Sequence, residues 1–179
     1  MNRPTVAYEN ILIDADVNMR YSCCKDYGYF VPAHWHDSIE VLYILDGETT
    51  INMDQLSYVL PKGEFIIIDS NVIHSTSCQN YSHFLIIQIP YLFLKEHIPG
   101  IDYIHFQNVC SVSGHPLPGQ IADEIPAADS AQIRQIRSIL DGLTQLWNQK
   151  PEGYQLKYYS YIFDLLYRMM THYRIEVSQ

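Results

Sequence analysis

The sequence predicts an antiparallel β-sandwich or barrel followed by a two-helix hairpin. Between Ile39 and Ile89, short apolar and β-branched runs alternate with turn signals, which is typical of an antiparallel β fold. After residue 128 the apolar residues change to a spacing of three and four, which is typical of helices. The chain has 179 residues, of which 47% are hydrophobic and 17% charged, so one folded domain is expected and a disordered chain is excluded.

The strand-forming part is assigned to residues 1–109. The dipeptide Asp46-Gly47 is a strong hairpin signal, and the polar pair Asp54-Gln55 and the run 61–63 predict further turns. The predicted strands are Ile39–Leu45, Thr49–Met53, Leu56–Leu60, Phe65–Ile68, Ile73–Ser77 and Phe84–Ile89, with Tyr8–Ile13 and Tyr27–Val31 as edge strands. Residues 1–14 are alternatively an N-terminal arm. Residues 110–128 carry three prolines and two glycines and are predicted to be a linker.

Residues 129–179 are predicted to form the helical hairpin. Asp129 and Gln132 resemble a capping box at its start, and residues 151–153 separate its two helices. The second helix has one apolar stripe on each of two faces, and both faces must be covered. The hairpin therefore either packs on its own barrel or also contacts a second copy, and we favour a homodimer. The predicted dimerisation residues are Ile136, Leu140, Leu143, Trp147, Tyr159, Phe163, Leu166 and Met170.

Charge and hydropathy exclude several classes of function. The net charge of −9 argues against direct binding of a nucleic-acid backbone by this chain. No apolar run approaches the roughly 18 residues of a membrane span, and the N-terminus lacks the apolar core of a signal peptide. A cytoplasmic protein with reduced cysteines is therefore expected.

Three histidines and one glutamate are the candidate site residues. His34 and His36 lie two apart and share a strand face, Glu40 has the same parity, and a later strand carries His74. Three imidazoles and a carboxylate suit one divalent transition metal such as Zn²⁺, Ni²⁺ or Fe²⁺, with coordination positions left open. The alternative is a metal-free cavity in which the same four side chains bind an effector through hydrogen bonds.

The spacing of these residues resembles the cupin motifs. Gly28, His34, His36, Glu40 and Gly47 match the whole first motif. The second motif is matched in part: Gly63 and His74 are present, while Asp69, Asn71 and Cys78 replace its Pro, Gly and Asn. The resemblance implies a cupin-like jelly-roll barrel, and Asn71 can adopt the turn conformation that the glycine would have.

The runs 34–47 and 60–75, with two helices after the barrel, are similar to the N-terminal effector-binding and dimerisation domain of AraC-family transcription regulators. The resemblance implies a small effector inside the barrel, an arm that can cover it, dimerising helices, and DNA contact only through a helix-turn-helix region absent from these residues. A truncated or stand-alone sensor without catalytic residues is therefore expected. The alternative is a metal-dependent cupin enzyme, a dioxygenase or isomerase, which the intact ligand set favours.

Overall fold

A computed structural model describes residues 6–120, 123 and 125–176, and it confirms the mainly β fold with C-terminal helices. The strands are β1 (Ala7–Tyr8), β2 (Arg20–Trp35), β3 (Ile39–Met53), β4 (Leu56–Pro61), β5 (Phe65–Ile68), β6 (His74–Ile89), β7 (Ile104–Phe106), β8 (Val109–Cys110), β9 (His115–Pro116) and β10 (Arg174–Glu176). The helices are α1 (Tyr91–His97), α2 (Ser130–Gln149) and α3 (Tyr154–His172), with a 3₁₀ turn at Ile101–Tyr103.

The main sheet runs in the order β1-β2-β6-β3-β4-β9, and β5 lies between β3 and β8. The first half of β3 pairs with β5 and its second half with β4, while β6 follows β3 along both halves. The long central strands therefore belong to both parts of a curved sheet, as in a jelly roll. Strands β7 and β10 form a separate antiparallel pair.

The hairpin predicted at Asp46-Gly47 is wrong, because β3 continues through these residues. The register between β3 and β6 shifts on both sides of them, which makes the pair a β-bulge. Gly47 has a φ of 76°, and an added Cβ would overlap the carbonyl oxygen of Tyr81. The hairpin lies instead at the polar pair Asp54-Gln55, whose φ values of 51° and 66° fit a type I′ turn.

Two apolar cores lie on opposite faces of the sheet. Along β3, Leu42 and Ile44 point into the barrel interior, whereas Val41 and Tyr43 point outwards to the helices. The same alternation holds along β5 and β6. Burial on both faces explains why these strands appear in the sequence as continuous apolar runs.

The two long helices cover the outer face of the sheet. The Asp129 carboxylate accepts hydrogen bonds from the backbone N–H groups of Ala131 (2.8 Å) and Gln132 (3.2 Å), so Asp129 is the N-cap of α2. The predicted capping box is only half formed, because the side-chain oxygen of Gln132 has no hydrogen-bond partner among the described residues. The second apolar stripe of α3 lies in the core between helix and sheet. Its members are Tyr158, Ile162, Leu165 and Met169.

Four of the predicted dimerisation residues are buried inside the chain itself. Ile136, Leu140, Leu143 and Leu166 belong to the core between the helices and the sheet, so they offer no surface to a partner. The ring of Trp147 stacks on Tyr21 of β2 at 4.0 Å. The other four predicted residues are at least partly exposed, namely Trp147 of α2 and Tyr159, Phe163 and Met170 of α3.

The segment predicted as a linker, residues 110–128, takes part in the fold over its described residues. Cys110 lies in β8 beside β5, β9 pairs with β4, and Gly114 bridges to Ile125. The positions 1–5, 121, 122, 124 and 177–179, which fall in the predicted arm, linker and hairpin, lie outside the described residues. In the described part of the chain, no helix combines the length and apolar character needed to cross a bilayer.

Candidate metal and ligand site

The structure brings the three predicted histidines together at one end of the barrel. His34 lies near the end of β2 and is paired in register with His74, the first residue of β6. His36 follows β2 in the turn that leads to β3. The ring of His74 lies 4.3 Å from that of His34 and 5.2 Å from that of His36, centroid to centroid. One ring nitrogen from each histidine lies within 4.8 Å of the other two.

Backbone carbonyl groups fix the orientation of all three rings. The Nδ1 atoms donate to the carbonyl oxygens of residues two positions away, at distances of 2.9, 3.0 and 3.0 Å. The pairs are His34 with Pro32, His36 with Ser38, and His74 with Val72. Since a carbonyl oxygen only accepts, each Nδ1 carries a hydrogen, and each Nε2 is the atom left for the centre of the cluster. Such second contacts typically orient histidines that ligate a metal.

Glu40 is the carboxylate of the cluster and is almost completely buried. Its Oε2 accepts a hydrogen bond from His36 Nε2 at 3.0 Å, and its Oε1 lies 3.7 Å from His74 Nε2. Burial disfavours the carboxylate, but the hydrogen bond from His36 and the charges of both histidines outweigh burial and hold the pKa of Glu40 at about 2. The same side chain raises the pKa of His36, although burial opposes that shift.

His74 differs from His36 in having no partner for its inner nitrogen. Its Nε2 atom is buried and makes no hydrogen bond to any residue that the structure describes. Burial lowers the pKa of His74, with the charge of Glu40 opposing it, and its Nε2 atom faces the cluster. A buried unpaired acceptor is costly, and a metal ion would satisfy it. The three imidazole nitrogens, with the Glu40 carboxylate beside those of His36 and His74, therefore fit a divalent transition metal.

Three further polar residues surround the cluster, and none of them belongs to the predicted site. Gln88 of β6 donates from Nε2 to Glu40 Oε2 at 2.7 Å and to Glu9 Oε2 at 3.1 Å. Arg20 at the start of β2 donates from Nη1 to Glu9 Oε1 and to Gln88 Oε1, both at 3.1 Å. Glu9 comes from the N-terminal arm, and its Oε2 lies 3.6 Å from His34 Nε2.

These residues differ in how far the sequence could have indicated them. Gln88 is the polar member of an apolar run and has the same strand parity as Phe84 and Ile86, which line the barrel interior, so strand parity could have placed it inside. Glu9 leaves no signal in the sequence, because its position depends on the parallel pairing of β1 with the end of β2.

A small cavity continues from the cluster into the barrel. Its volume is about 90 Å³. Its polar side is formed by Glu9, Arg20, His34, Glu40 and Gln88, and the rest by Tyr29, Val31, Leu42, Thr76, Phe84 and Ile86. The site thus combines a charged, hydrogen-bonding end with an apolar wall, as small-molecule sites usually do.

The segment that carries the cluster matches a known family model. Residues 26–84 match the model described as Cupin domain. The cupin part of the resemblance is therefore confirmed for this segment, and the match includes all four predicted site residues. No curated protein sequence matches the chain at a significant level.

Several solved structures are similar to parts of the chain. One is a cupin superfamily protein from Desulfitobacterium hafniense DCB-2, with 20% identity and a TM-score of 0.41 over 44% of this chain and 72% of that chain. A cupin-2 domain containing protein from Shewanella frigidimarina NCIMB 400 has 23% identity and a TM-score of 0.38 over 44% and 74%. A putative ethanolamine utilization protein Q from Salmonella typhimurium LT2 has 15% identity and a TM-score of 0.38 over 40% and 58%.

Proposed function

We propose that the chain is the ligand-sensing domain of an AraC-type transcription regulator, and that it binds a small effector at the histidine end of its barrel. The observation that carries the proposal is the placement of Glu9. A side chain of the N-terminal arm reaches the polar centre of the barrel and contacts Arg20, Gln88 and His34. An effector bound at this centre would compete with or reorganise the arm, which is how a binding event becomes a conformational signal.

The sheet offers a second connection from the pocket to the rest of the domain. Leu42 of β3 lines the cavity, while its neighbours Val41 and Tyr43 face the helices. The hydroxyl of Tyr43 donates a 2.6 Å hydrogen bond to Asp141 of α2. In a regulator of this type the helices would pass the signal to a DNA-binding helix-turn-helix region encoded downstream, and DNA would be bound only through that region.

The proposal includes one divalent transition metal held by His34, His36, Glu40 and His74. When bound, such an ion supplies a Lewis acid that can fix a polar group of the effector. The residues of this chain orient the ligand atoms through the three Nδ1 hydrogen bonds and keep water from two of the three rings by burial.

The unpaired Nε2 of His74 favours a second candidate, a metal-dependent cupin enzyme of the dioxygenase or isomerase type. A metal ion with open coordination positions beside a small cavity also suits catalysis. The two candidates differ in what happens to the bound compound, because a sensor releases it unchanged and an enzyme converts it.

The experiment uses Trp35 as a reporter of the arm. The chain has two tryptophans, and the ring of Trp35 lies 4.9 Å from that of Tyr8 on the arm. In the variant Trp147→Phe, Trp35 is the only tryptophan, so a panel of sugars, phenols, amines and carboxylic acids can be screened by its emission. We expect at least one compound to change the emission and to be recovered unchanged after incubation with Fe²⁺ or Zn²⁺.

The variant Trp35→Phe is the matched control, since the remaining Trp147 stacks on Tyr21, whereas Tyr8 of the arm packs on Trp35. Conversion of the compound would decide for the enzyme. A helix-turn-helix pair encoded after residue 179 would support the regulator, and its absence from the coding sequence would count against it.

Homodimerisation through the helical hairpin stays a prediction. A groove of about 630 Å³ between α1 and α3 is lined by Leu156, Tyr159 and Phe163 together with Phe93 and His97. Sedimentation of the wild type at micromolar concentration tests the dimer. The variant Phe163→Glu should shift a dimer to monomers, because it places a charge on an apolar surface.

A further inference from the structure

We propose that Arg20 and Gln88 form a subsite for the carboxylate of a small organic acid, and that Glu9 occupies this subsite until such an acid displaces it. The inference rests on the proposed sensing function and deepens it, because it names the chemical class of the effector and the group that the effector replaces.

The arm that carries Glu9 is only lightly attached to the barrel. Strand β1 has two residues, and both are exposed. Beyond their pairing with β2, the backbone N–H of Glu9 donates to the carbonyl oxygen of Trp35 at 2.9 Å, and the ring of Tyr8 rests on Trp35. A segment held by so few buried contacts can separate from the barrel while the rest stays folded.

The carboxylate of Glu9 is held as a bound carboxylate ligand would be. Its two oxygens accept from different donors, Oε1 from Arg20 Nη1 and Oε2 from Gln88 Nε2, both at 3.1 Å. The Nε2 atom of His34 lies 3.6 Å from Oε2. A guanidinium and an amide that bind the two oxygens separately make a specific carboxylate site.

Barrel residues alone keep these donors in position. Gln88 is 1% exposed, its Oε1 accepts from Arg20, and its Nε2 also donates to Glu40 at 2.7 Å. Both ends of the amide are therefore fixed by residues outside the arm. The second hydrogen of Nε2 points to the position of the Glu9 carboxylate whether or not the arm is in place.

Departure of the arm leaves Arg20 without its ion pair. The side chains of Arg20 and Glu9 are 31% and 33% exposed, so the pair is partly shielded from water. A half-buried guanidinium that loses its carboxylate becomes a site with a preference for another anion. A carboxylate that is free in solution can take the same two hydrogen bonds.

The adjoining cavity limits the size of the acid. Its apolar wall is formed by Val31, Leu42, Phe84 and Ile86. A volume of about 90 Å³ admits only a small group. The acid therefore carries a short apolar part, such as the ethyl group of propionate, with its carboxylate in the place of the Glu9 carboxylate.

The experiment measures propionate binding by calorimetry to protein stripped of metal with EDTA, so that a metal ion cannot bind the acid. Propionamide, which has the same shape without the charge, is the control ligand. We expect weak binding to the wild type and about tenfold tighter binding to Glu9→Ala, since the competing side chain is removed. Arg20→Met should abolish binding, and no protein should bind propionamide.

Thermal stability gives a second readout with a matched control variant. Glu9→Ala should lower Tm, and propionate should raise it again, whereas sodium chloride should not. Asp46→Ala removes the carboxylate of the exposed pair with Lys62, whose atoms lie 3.4 Å apart, and propionate should raise its Tm no more than that of the wild type. If Arg20→Met does not fold, Arg20→Lys replaces it and should bind propionate at least several-fold more weakly.

Equal affinity of wild type and Glu9→Ala, or unchanged affinity in the Arg20 variants, would overturn the subsite. The Trp147→Phe protein separates this failure from that of the sensing function. Propionate that binds without changing Trp35 emission would contradict sensing by the arm and leave the subsite intact. A compound of another class that changes the emission, with no propionate binding, would overturn the subsite and leave sensing intact.

Discussion

Arg137 of α2 binds Glu64 at the turn before β5. Its Nη2 donates to the Glu64 carboxylate and its Nε to the carbonyl oxygen of Gly63, both at 2.7 Å. The two side chains are 32% and 25% exposed, so solvent weakens the pair without cancelling it. We expect Arg137→Met to lower the free energy of unfolding by about 1 kcal/mol in urea titrations.

A double-mutant cycle with Glu64→Gln measures how much of that loss of unfolding free energy comes from the ion pair. The coupling energy should be about 0.5 kcal/mol or more, because the two residues are in direct contact. Lys62→Met, which breaks the exposed pair with Asp46, is the control and should leave stability unchanged. A coupling energy of zero would assign the effect of Arg137→Met to loss of the hydrogen bond from Arg137 Nε to the carbonyl oxygen of Gly63.

Metal binding is tested by elemental analysis of protein purified without an affinity tag or a nickel column. We expect about one Zn²⁺, Ni²⁺ or Fe²⁺ per chain, and loss of at least 100-fold in affinity for His36→Ala or His74→Ala, since each removes a ligand. His83→Ala removes a partly exposed histidine that hydrogen-bonds to Cys23 and should bind metal as the wild type does. A wild type without metal, and without uptake on dialysis, would contradict the prediction.

Comparing Gly47 with Gly153 separates two contributions to the loss of stability when a glycine is replaced. One is the steric overlap of the new Cβ with neighbouring backbone, and the other is the positive φ. Their φ values are 76° and 73°, but only at Gly47 would a Cβ meet the backbone of Tyr81, while Gly153 has nothing within 4 Å. Gly153→Ala should cost about 1 kcal/mol, and Gly47→Ala should cost clearly more because strand β6 must move. Chemical denaturation measures both, and equal losses would mean that the bulge adapts.

The cap of α2 is tested by two substitutions of Asp129. Asp129→Ala removes the acceptor for two backbone N–H groups and should lower stability by about 1 kcal/mol. Asp129→Asn keeps an acceptor oxygen and should lower it much less. Thermal unfolding followed at 222 nm compares the variants, and identical Tm values for all three proteins would show that this helix end does not limit stability.

The bounds of strands that begin and end at turns could be predicted from the sequence, whereas the bounds of strands that bend could not. Phe65–Ile68 was predicted with its observed bounds, because turns enclose it on both sides. Residues 39–53 were predicted as two strands, because Asp46-Gly47 has the composition of a turn. In the structure they form one strand, since pairing with β6 makes Asp46-Gly47 a bulge.

The residues of the candidate site that belong to a local sequence pattern could be predicted from the sequence. His34, His36 and Glu40 follow the motif spacing, although His36 lies in the turn after β2, and Asn71, with a φ of 64°, takes the turn conformation expected before His74. Glu9 and Arg20 meet only because the arm pairs with β2, a contact between elements for which the sequence has no periodic signal.

The alternation along β3 has a mechanical consequence. Glu40 contacts the histidines inside the barrel, and Tyr43, three residues further on, holds Asp141 of α2 on the outside. In this region β3 is hydrogen-bonded to β5 on one edge and to β6 on the other, and this pairing restricts independent movement of its residues. A ligand that displaces Glu40 along the strand axis would therefore strain the hydrogen bond between Tyr43 and Asp141, although Glu40 and Tyr43 point to opposite faces of the sheet.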